Sequence, residues 1–364
     1  MNSPRKVIFV GAGTAGHVEP ALAVARAWRE KYPKDRCIFL GTPTGLENSM
    51  VPAAGFELLN IDKVVMPRSI NLDLLKVPFR LSHSVFSAKS IVEGSDLLIG
   101  FGGYASASAY LAARLAKVPF VVHEANAMPG WANRLGALLT KYVAVASLVR
   151  LSRFSHARVT GLPLRADFRA AYKSASRDWP QARIRAKTEL GWSLDHPTLL
   201  VLGGSLGSTY INSQILEALP FFGAKKIQIL HSVGAKNTLP ESKDNYRAVP
   251  YIEDMATAYL AADVVLARSG AVTCAEFGAL GRMAIFVPLP IGNGEQARNA
   301  DQLVSAGRAI VLPQKAFSSK WLEEHIETVI DRSNLCPETG LSQDMESEER
   351  IIELMETALQ GGGA

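Results

Sequence analysis

The chain has 364 residues, 48% of them hydrophobic and 20% charged, enough to bury the cores of two ordinary domains, which excludes a disordered chain and a small stapled scaffold. Its three cysteines, Cys37, Cys274 and Cys336, are widely spaced and form neither a disulfide framework nor a zinc pattern, so a reducing cytoplasm is expected. The net charge of +5 is uneven, with 20 Lys and Arg against 10 Asp and Glu in residues 1–165 but 19 against 24 in residues 166–364; a basic half without a zinc finger or RNP motif points to an anionic surface or a phosphate-bearing substrate and away from nucleic acid.

Taken in chain order, the first half alternates short β-branched runs with helical patterns, as in a parallel sheet covered on both faces. Lys6–Val10, Cys37–Leu40, Asp96–Ile99, Phe120–His123 and Tyr142–Ala146 read as strands. Pro20–Glu30, Leu72–Val92, Ala105–Ala116 and Pro129–Leu139 read as helices, the first with proline at its tolerated N-terminal position. Val7–Val10 is too short for the apolar core of a signal peptide, and no apolar run reaches the roughly 18 residues of a spanning helix. The second half starts the pattern again, with strands at Thr198–Leu202, Lys226–Leu230, Val264–Ala267, Ala284–Val287 and Ala309–Leu312 and helices at Tyr210–Leu219, Thr273–Leu280 and Glu295–Ala306. A helix past residue 318 and an acidic last helix from about Ser347 to Leu359 follow. The fold class is therefore α/β, with two Rossmann-like domains. The helix-breaking Gly161-Leu-Pro-Leu-Arg165 marks their boundary, giving residues 1–162 and 163–342, with the terminal helix of 343–364 expected to pack back on the basic half.

Gly11-x-Gly13-x-x-Gly16 matches the dinucleotide fingerprint. The acidic residue that should end the second strand is missing, because Leu40 runs into Gly41-Thr-Pro. His17 is also a bulky residue to set against a pyrophosphate. The second glycine loop, Gly203–Ser208, opens a helix whose free N–H groups favour an anion, with Ser205 or Ser208 as donors. Arg268-Ser-Gly-Ala-Val-Thr-Cys-Ala-Glu276 is a third strand-to-helix junction, where Glu276 suits the two hydroxyls of a ribose. Glu295 and Gln296, at another helix start, suit sugar hydroxyls. In the basic half Gly100–Ser106 and His123-Glu-Ala-Asn126 each follow a strand's carboxyl end, where open α/β sheets bind ligands. His17, Tyr104, His123, Glu124 and Asn126 are thus expected on one cleft wall. No spaced His and Asp set suggests a metal, and no Gly-x-Ser-x-Gly elbow suggests a hydrolase.

Along nearly the whole chain these motifs resemble, in order, the MurG family of peptidoglycan transferases: Thr14-Ala-Gly-His17 with Pro20–Ala25, Gly102-Gly-Tyr104, His123-Glu-x-Asn126, Gly161-x-Pro-x-Arg165, Gly203-Gly-Ser-x-Gly207, Asp254-Met255, Arg268-Ser-Gly-Ala271 and Gly292-Asn-Gly-Glu-Gln296. The last is like actinobacterial members. The resemblance implies the GT-B architecture, two Rossmann-like domains facing a cleft, and transfer of N-acetylglucosamine from its UDP form to lipid I, giving lipid II. It implies that Arg165 and Ser205 lie by the UDP phosphates and nucleoside, that the main chain at Ile252 reads uracil, that Glu276 takes the ribose, and that Ala271, Val272 and Thr273 meet the diphosphate. Glu295, Gln296 and Asn126 would contact the sugar, Thr14, Ala15 and Gly16 would complete the UDP-GlcNAc site, and Gly103, Tyr104 and His123 would receive the acceptor. Departures from the family's usual residues are Ala12 and Ala15 for glycine, Ala125 and Leu206 for glutamine, and Leu162 for asparagine.

The expected chemistry is inverting, by attack of the acceptor's 4-hydroxyl on the anomeric carbon. His17 is the candidate base, because neutral imidazole has a suitable pKa, and Glu124 is the reserve. Neither a metal nor a cofactor is expected. Lipid I fixes the expected place at the cytoplasmic membrane face, held peripherally through Leu72–Lys89 on anionic lipid, with other cell-wall synthesis proteins as candidate partners. Another GT-B sugar-nucleotide enzyme, a UDP-N-acetylglucosamine 2-epimerase or a diacylglycerol glycosyltransferase, is the alternative.

Overall fold

A computed structural model describes residues 3–64, 77–204, 207–290 and 294–361. The chain divides into two compact units, one of Met1–Arg165 with Gln343–Ala364, the other of Ala166–Ser342.

The first unit holds seven parallel strands, β1 (Lys6–Val10), β2 (Arg36–Gly41), β3 (Glu57–Asn60), β4 (Leu97–Gly100), β5 (Phe120–Glu124), β6 (Val143–Val145) and β7 (Arg158–Val159), in the order β3-β2-β1-β4-β5-β6-β7. Strand β1 buries all its apolar residues because the sheet is covered on both faces. Val7 and Phe9 face α1 (Ala15–Lys31), α2 (Glu47–Ala53) and α14 (Ser347–Gly361), while Ile8 and Val10 face α3 (Val77–Val92), α4 (Tyr104–Ala116) and α5 (Trp131–Leu139). Ile351, Ile352, Met355 and Ala358 of α14 enter the first core, and Glu356 and Glu353 on its polar side pair with Lys31 and Arg158.

The second unit repeats the plan with β8 (Thr198–Leu202), β9 (Gln228–Ser232), β10 (Tyr246–Val249), β11 (Val264–Ala267), β12 (Met283–Phe286) and β13 (Ala309–Val311), ordered β10-β9-β8-β11-β12-β13. Its helices are α6 (Ala166–Ala175), α7 (Trp179–Glu189), α8 (Thr209–Ala224), α9 (Met255–Ala261), α10 (Ala271–Leu280), α11 (Glu295–Asn299), α12 (Asp301–Ser305) and α13 (Ser319–Leu335).

Helix α1 begins five residues before the expected Pro20, so the glycine loop leads straight into it and the proline lies inside, where it offers no N–H to the Gly16 carbonyl. The expected Glu295–Ala306 helix is two short ones broken at Ala300. The expected Leu72–Val92 helix is described from Val77, its first five residues lying outside the described ones. Strands β3, β7 and β10 are edge or near-edge strands with partly exposed residues, too short and mixed to show an apolar run. Seven-residue helices such as α2 and α9 are too short to display a period.

Candidate active site

In each sheet the strand order reverses at one place, β1 beside β4 and β8 beside β11, the kind of place at which open α/β sheets bind ligands. The four loops at these two places are Gly11–Gly16, Phe101–Gly103, Gly203–Ser208 and Arg268–Gly270.

In the first unit the two loops touch. Gly103, at φ +87°, lies so close to the first loop that a Cβ there would overlap the Ala12 carbonyl oxygen, and a Cβ on Gly102 would lie 3.0 Å from His17 Cδ2 and 3.2 Å from Nε2. The half-buried His17 ring places Nδ1 3.2 Å from Thr14 Oγ1. Burial lowers its pKa from the ordinary 6.5, opposed by the Ala12 carbonyl and the charge of Glu47. The ring is therefore neutral at neutral pH and able to accept a proton. Thr14 stands at the N-terminal cap of α1 and Ala15 and Gly16 open that helix beside it, and Tyr104 opens α4 with Lys63 Nζ 5.1 Å from its ring centre.

Sequence reasoning missed Glu47. Fully buried at the start of α2, its carboxylate accepts from Gly13 N–H at 2.8 Å, Thr42 N–H at 2.9 Å and Thr42 Oγ–H at 2.8 Å. One amide of the dinucleotide-like loop is thus taken by the protein's own carboxylate and is not free for an anion. The sequence shows only the glycines at 41 and 45; the structure shows that a Cβ on either would strike the Glu47 side chain.

Two expectations are corrected at the end of β5. His123 is completely buried, with Nε2–H donating to the Gly161 carbonyl at 3.0 Å, and burial lowers its pKa to about 4; it offers no surface to an acceptor. Glu124, the reserve base, is also buried, and its oxygens accept from Asn126 N–H (2.8 Å), Asn126 Nδ2 (3.2 Å), Asn133 Nδ2 (3.0 Å) and Gly130 N–H (3.1 Å). Burial raises its proton affinity while these donors oppose the rise. Saturated in this way, it organises the loop that carries Asn126 rather than reaching for a substrate proton. Asn133 also receives the Tyr110 hydroxyl and donates to the His123 carbonyl. The apolar departures Ala12, Ala125 and Leu162 are buried, and it is the main chain of Leu162 that makes a link, to Asp344 at 2.8 Å.

In the second unit Gly204 and Gly207 have φ of +89° and +75°, and a Cβ on Gly207 would overlap the Val233 carbonyl, so only glycine fits. Ser208 caps α8 at Ile211 N–H. Buried Arg268 donates to Ser208 Oγ (2.9 Å), Gln314 Oε1 (2.7 Å) and the Val287 (3.0 Å) and Pro288 (3.2 Å) carbonyls. It joins the loops after β8, β11 and β12 and sets a cation beside the second glycine loop. Gly270 precedes α10, whose first ladder donor is Cys274 N–H, so the amides of Ala271, Val272 and Thr273 stay outside the helix's own hydrogen bonds and suit an anion. Glu276 lies buried one turn on. Gln296 accepts from Leu289 N–H at 2.9 Å, and Glu295 is the first residue of α11. Ile252 is buried between β10 and α9, where Asp254 caps Thr257 N–H. Arg165 is half-buried at the end of the first unit. Ser205 lies outside the described residues. Among the described residues no group of three or more His, Cys, Asp or Glu is placed to hold a metal ion.

The chain matches the glycosyltransferase family 28 N-terminal domain over residues 7–145 and its C-terminal domain over residues 198–354. It is 45% identical, over 92% of its length and 90% of the relative's, to the UDP-N-acetylglucosamine--N-acetylmuramyl-(pentapeptide) pyrophosphoryl-undecaprenol N-acetylglucosamine transferase of Paenarthrobacter aurescens. With the protein of the same name from Corynebacterium efficiens it shares 44% identity, over 91% of this chain and 90% of that one. The crystal structure of Acinetobacter baumannii MurG superposes with a TM-score of 0.75 at 28% identity, covering 97% of this chain and all of that one. On this evidence, carried across both units, the chain has the GT-B fold and belongs to the MurG family of glycosyltransferases.

Proposed function

We infer that the chain transfers N-acetylglucosamine from UDP-N-acetylglucosamine to lipid I, forming lipid II. The observation that carries this is the near-full-length relationship to transferases of that name. The acceptor's 4-hydroxyl oxygen forms a bond to the anomeric carbon on the face opposite UDP. The bond from that carbon to the phosphate oxygen breaks, UDP departs with the electron pair, and the hydroxyl proton passes to His17 Nε2. In this reading the amides of Ala271, Val272 and Thr273, with Arg165 and Ser205, take up the charge that develops on the diphosphate. Glu276 holds the ribose, the Ile252 main chain reads uracil, and Glu295, Gln296 and Asn126 contact the sugar. Thr14, Ala15 and Gly16 complete the UDP-GlcNAc site, and Gly103 and Tyr104 line the acceptor side.

Stoichiometric UDP release with formation of the disaccharide product from a soluble lipid I analogue tests the reaction. UDP release with an epimerised sugar and an unchanged acceptor would overturn it. Glu276→Ala is expected to raise the donor KM about tenfold, because losing a ground-state contact weakens binding first; wild-type donor kinetics in that variant would displace the ribose site.

No helix among the described residues is long and apolar enough to cross a membrane. Peripheral attachment is supported by α3, which turns Val85, Ala88 and Val92 to the core but leaves Phe79 79% and Phe86 69% exposed, seven residues apart on one side, with Arg80 exposed beside them. Val85, inside the Leu72–Lys89 segment expected to meet the membrane, belongs to the core. The basic charge of this half and two outward phenylalanines suit an anionic interface. Phe79→Ser, Phe86→Ser, Arg80→Glu is expected to fold normally and to bind anionic liposomes about tenfold or more weakly. Undiminished sedimentation would place the membrane contact elsewhere.

A further inference from the structure

Glu47 belongs to none of the roles described so far, yet its surroundings are built around it. It is a wholly buried carboxylate whose two oxygens accept three hydrogen bonds, from a loop next to it in the chain and from Gly13, 34 residues earlier. A Cβ on Gly41 would come within 2.7 Å of its Cγ, and one on Gly45 would overlap its carboxylate oxygens. Gly13 is the residue between Ala12 and Thr14, and these two meet the His17 ring, Thr14 through Oγ1 and Ala12 through its carbonyl. With φ of +94° and nothing within 4 Å of where its Cβ would be, Gly13 has no side chain to anchor it. The Glu47 bond supplies that anchor.

We propose that Glu47 is a positioning residue for the transfer, fixing Gly13 so that the residues on either side of it hold the His17 imidazole in its proton-accepting geometry; this rests on the reading of His17 as the base. The carboxylate is suited to the task because acceptors are needed on both oxygens. Glutamine would turn an NH2 toward one of the N–H donors, and aspartate is a methylene too short to bridge them. Glu47 is also the charged group acting on the ring, favouring the protonated imidazole that forms as the acceptor hydroxyl is deprotonated.

The test measures turnover, donor KM and the pH dependence of kcat/KM with a soluble lipid I analogue for the wild type, Glu47→Gln, His17→Ala and the double variant, with folding checked by circular dichroism. Glu47→Gln is expected to lower kcat about tenfold or more with donor KM within about twofold. Its acid limb should move to lower pH, because an imidazole without the neighbouring negative charge is less basic. The double variant should be no slower than His17→Ala, since Glu47 acts through that ring. A merely structural carboxylate would lower stability without moving the limb. Wild-type kcat and an unmoved limb in folded Glu47→Gln, or a double variant losing the product of the two single effects, would overturn the proposal. Wild-type turnover in His17→Ala would instead remove the base reading itself. Should Glu47→Gln not fold, Gly45→Ala keeps the charge but displaces the carboxylate from Gly13. A kcat loss in that variant supports the role, and an unchanged kcat overturns it.

Discussion

Replacing His17 by alanine is expected to lower turnover by about a hundredfold or more while leaving the donor KM within about twofold, because a general base acts in the transition state and not in donor binding. The expectation rests on its place at the switch point of the first sheet, half-buried between Thr14 and Gly102, and on the burial that holds its pKa below 6.5. The sign of the pH dependence follows. The neutral ring is the active form, so kcat/KM should fall as pH drops through a value below 6.5 and stay level through neutrality. Steady-state kinetics with the soluble acceptor decides it. A folded His17→Ala enzyme with wild-type turnover would assign proton removal to another group.

Gly103→Ala is expected to be the most damaging single methyl in the first unit. At φ +87° and ψ 176° the backbone occupies a region that only glycine visits cheaply. The added Cβ would also meet the Ala12 carbonyl oxygen, a main-chain atom that cannot swing aside. Strain and overlap together should cost about 3 kcal/mol or more, a loss of roughly 6–12 °C in Tm for a unit of this size. Gly13→Ala is the comparison: its φ is similar, but its Cβ would meet nothing within 4 Å, so it should cost only about 1 kcal/mol. Thermal unfolding of the two variants checks the pair. Equal losses would mean that the two loops of the switch point do not press on one another.

What the sequence by itself determined was local. Alternating apolar runs and helical periods identified the central strands, because a strand buried on both faces must be continuously apolar. Glycine spacing located the loops after β1 and β8, because close backbone approach and positive φ leave no substitute there. The order of those motifs also sufficed to indicate the GT-B fold and the MurG family.

The edges were not legible: β3, β7 and β10 bury too little to write an apolar pattern. Partners distant in the chain were not legible either. Glu47 meets Gly13 because β1 and β2 lie side by side in parallel, bringing the loops at their ends together. Arg268 reaches Ser208 because β11 lies beside β8. His123 and Glu124 read as ligand residues from their place at a strand's carboxyl end. Only the tertiary structure turned them inward, where Glu124 is held by four donors of the protein itself and His123 gives Nε2–H to the Gly161 carbonyl. Spacing along the chain shows which residues stand at the edge of a sheet. Which of them face a substrate, and which hold the loops that do, is decided by packing between strands that the sequence keeps far apart.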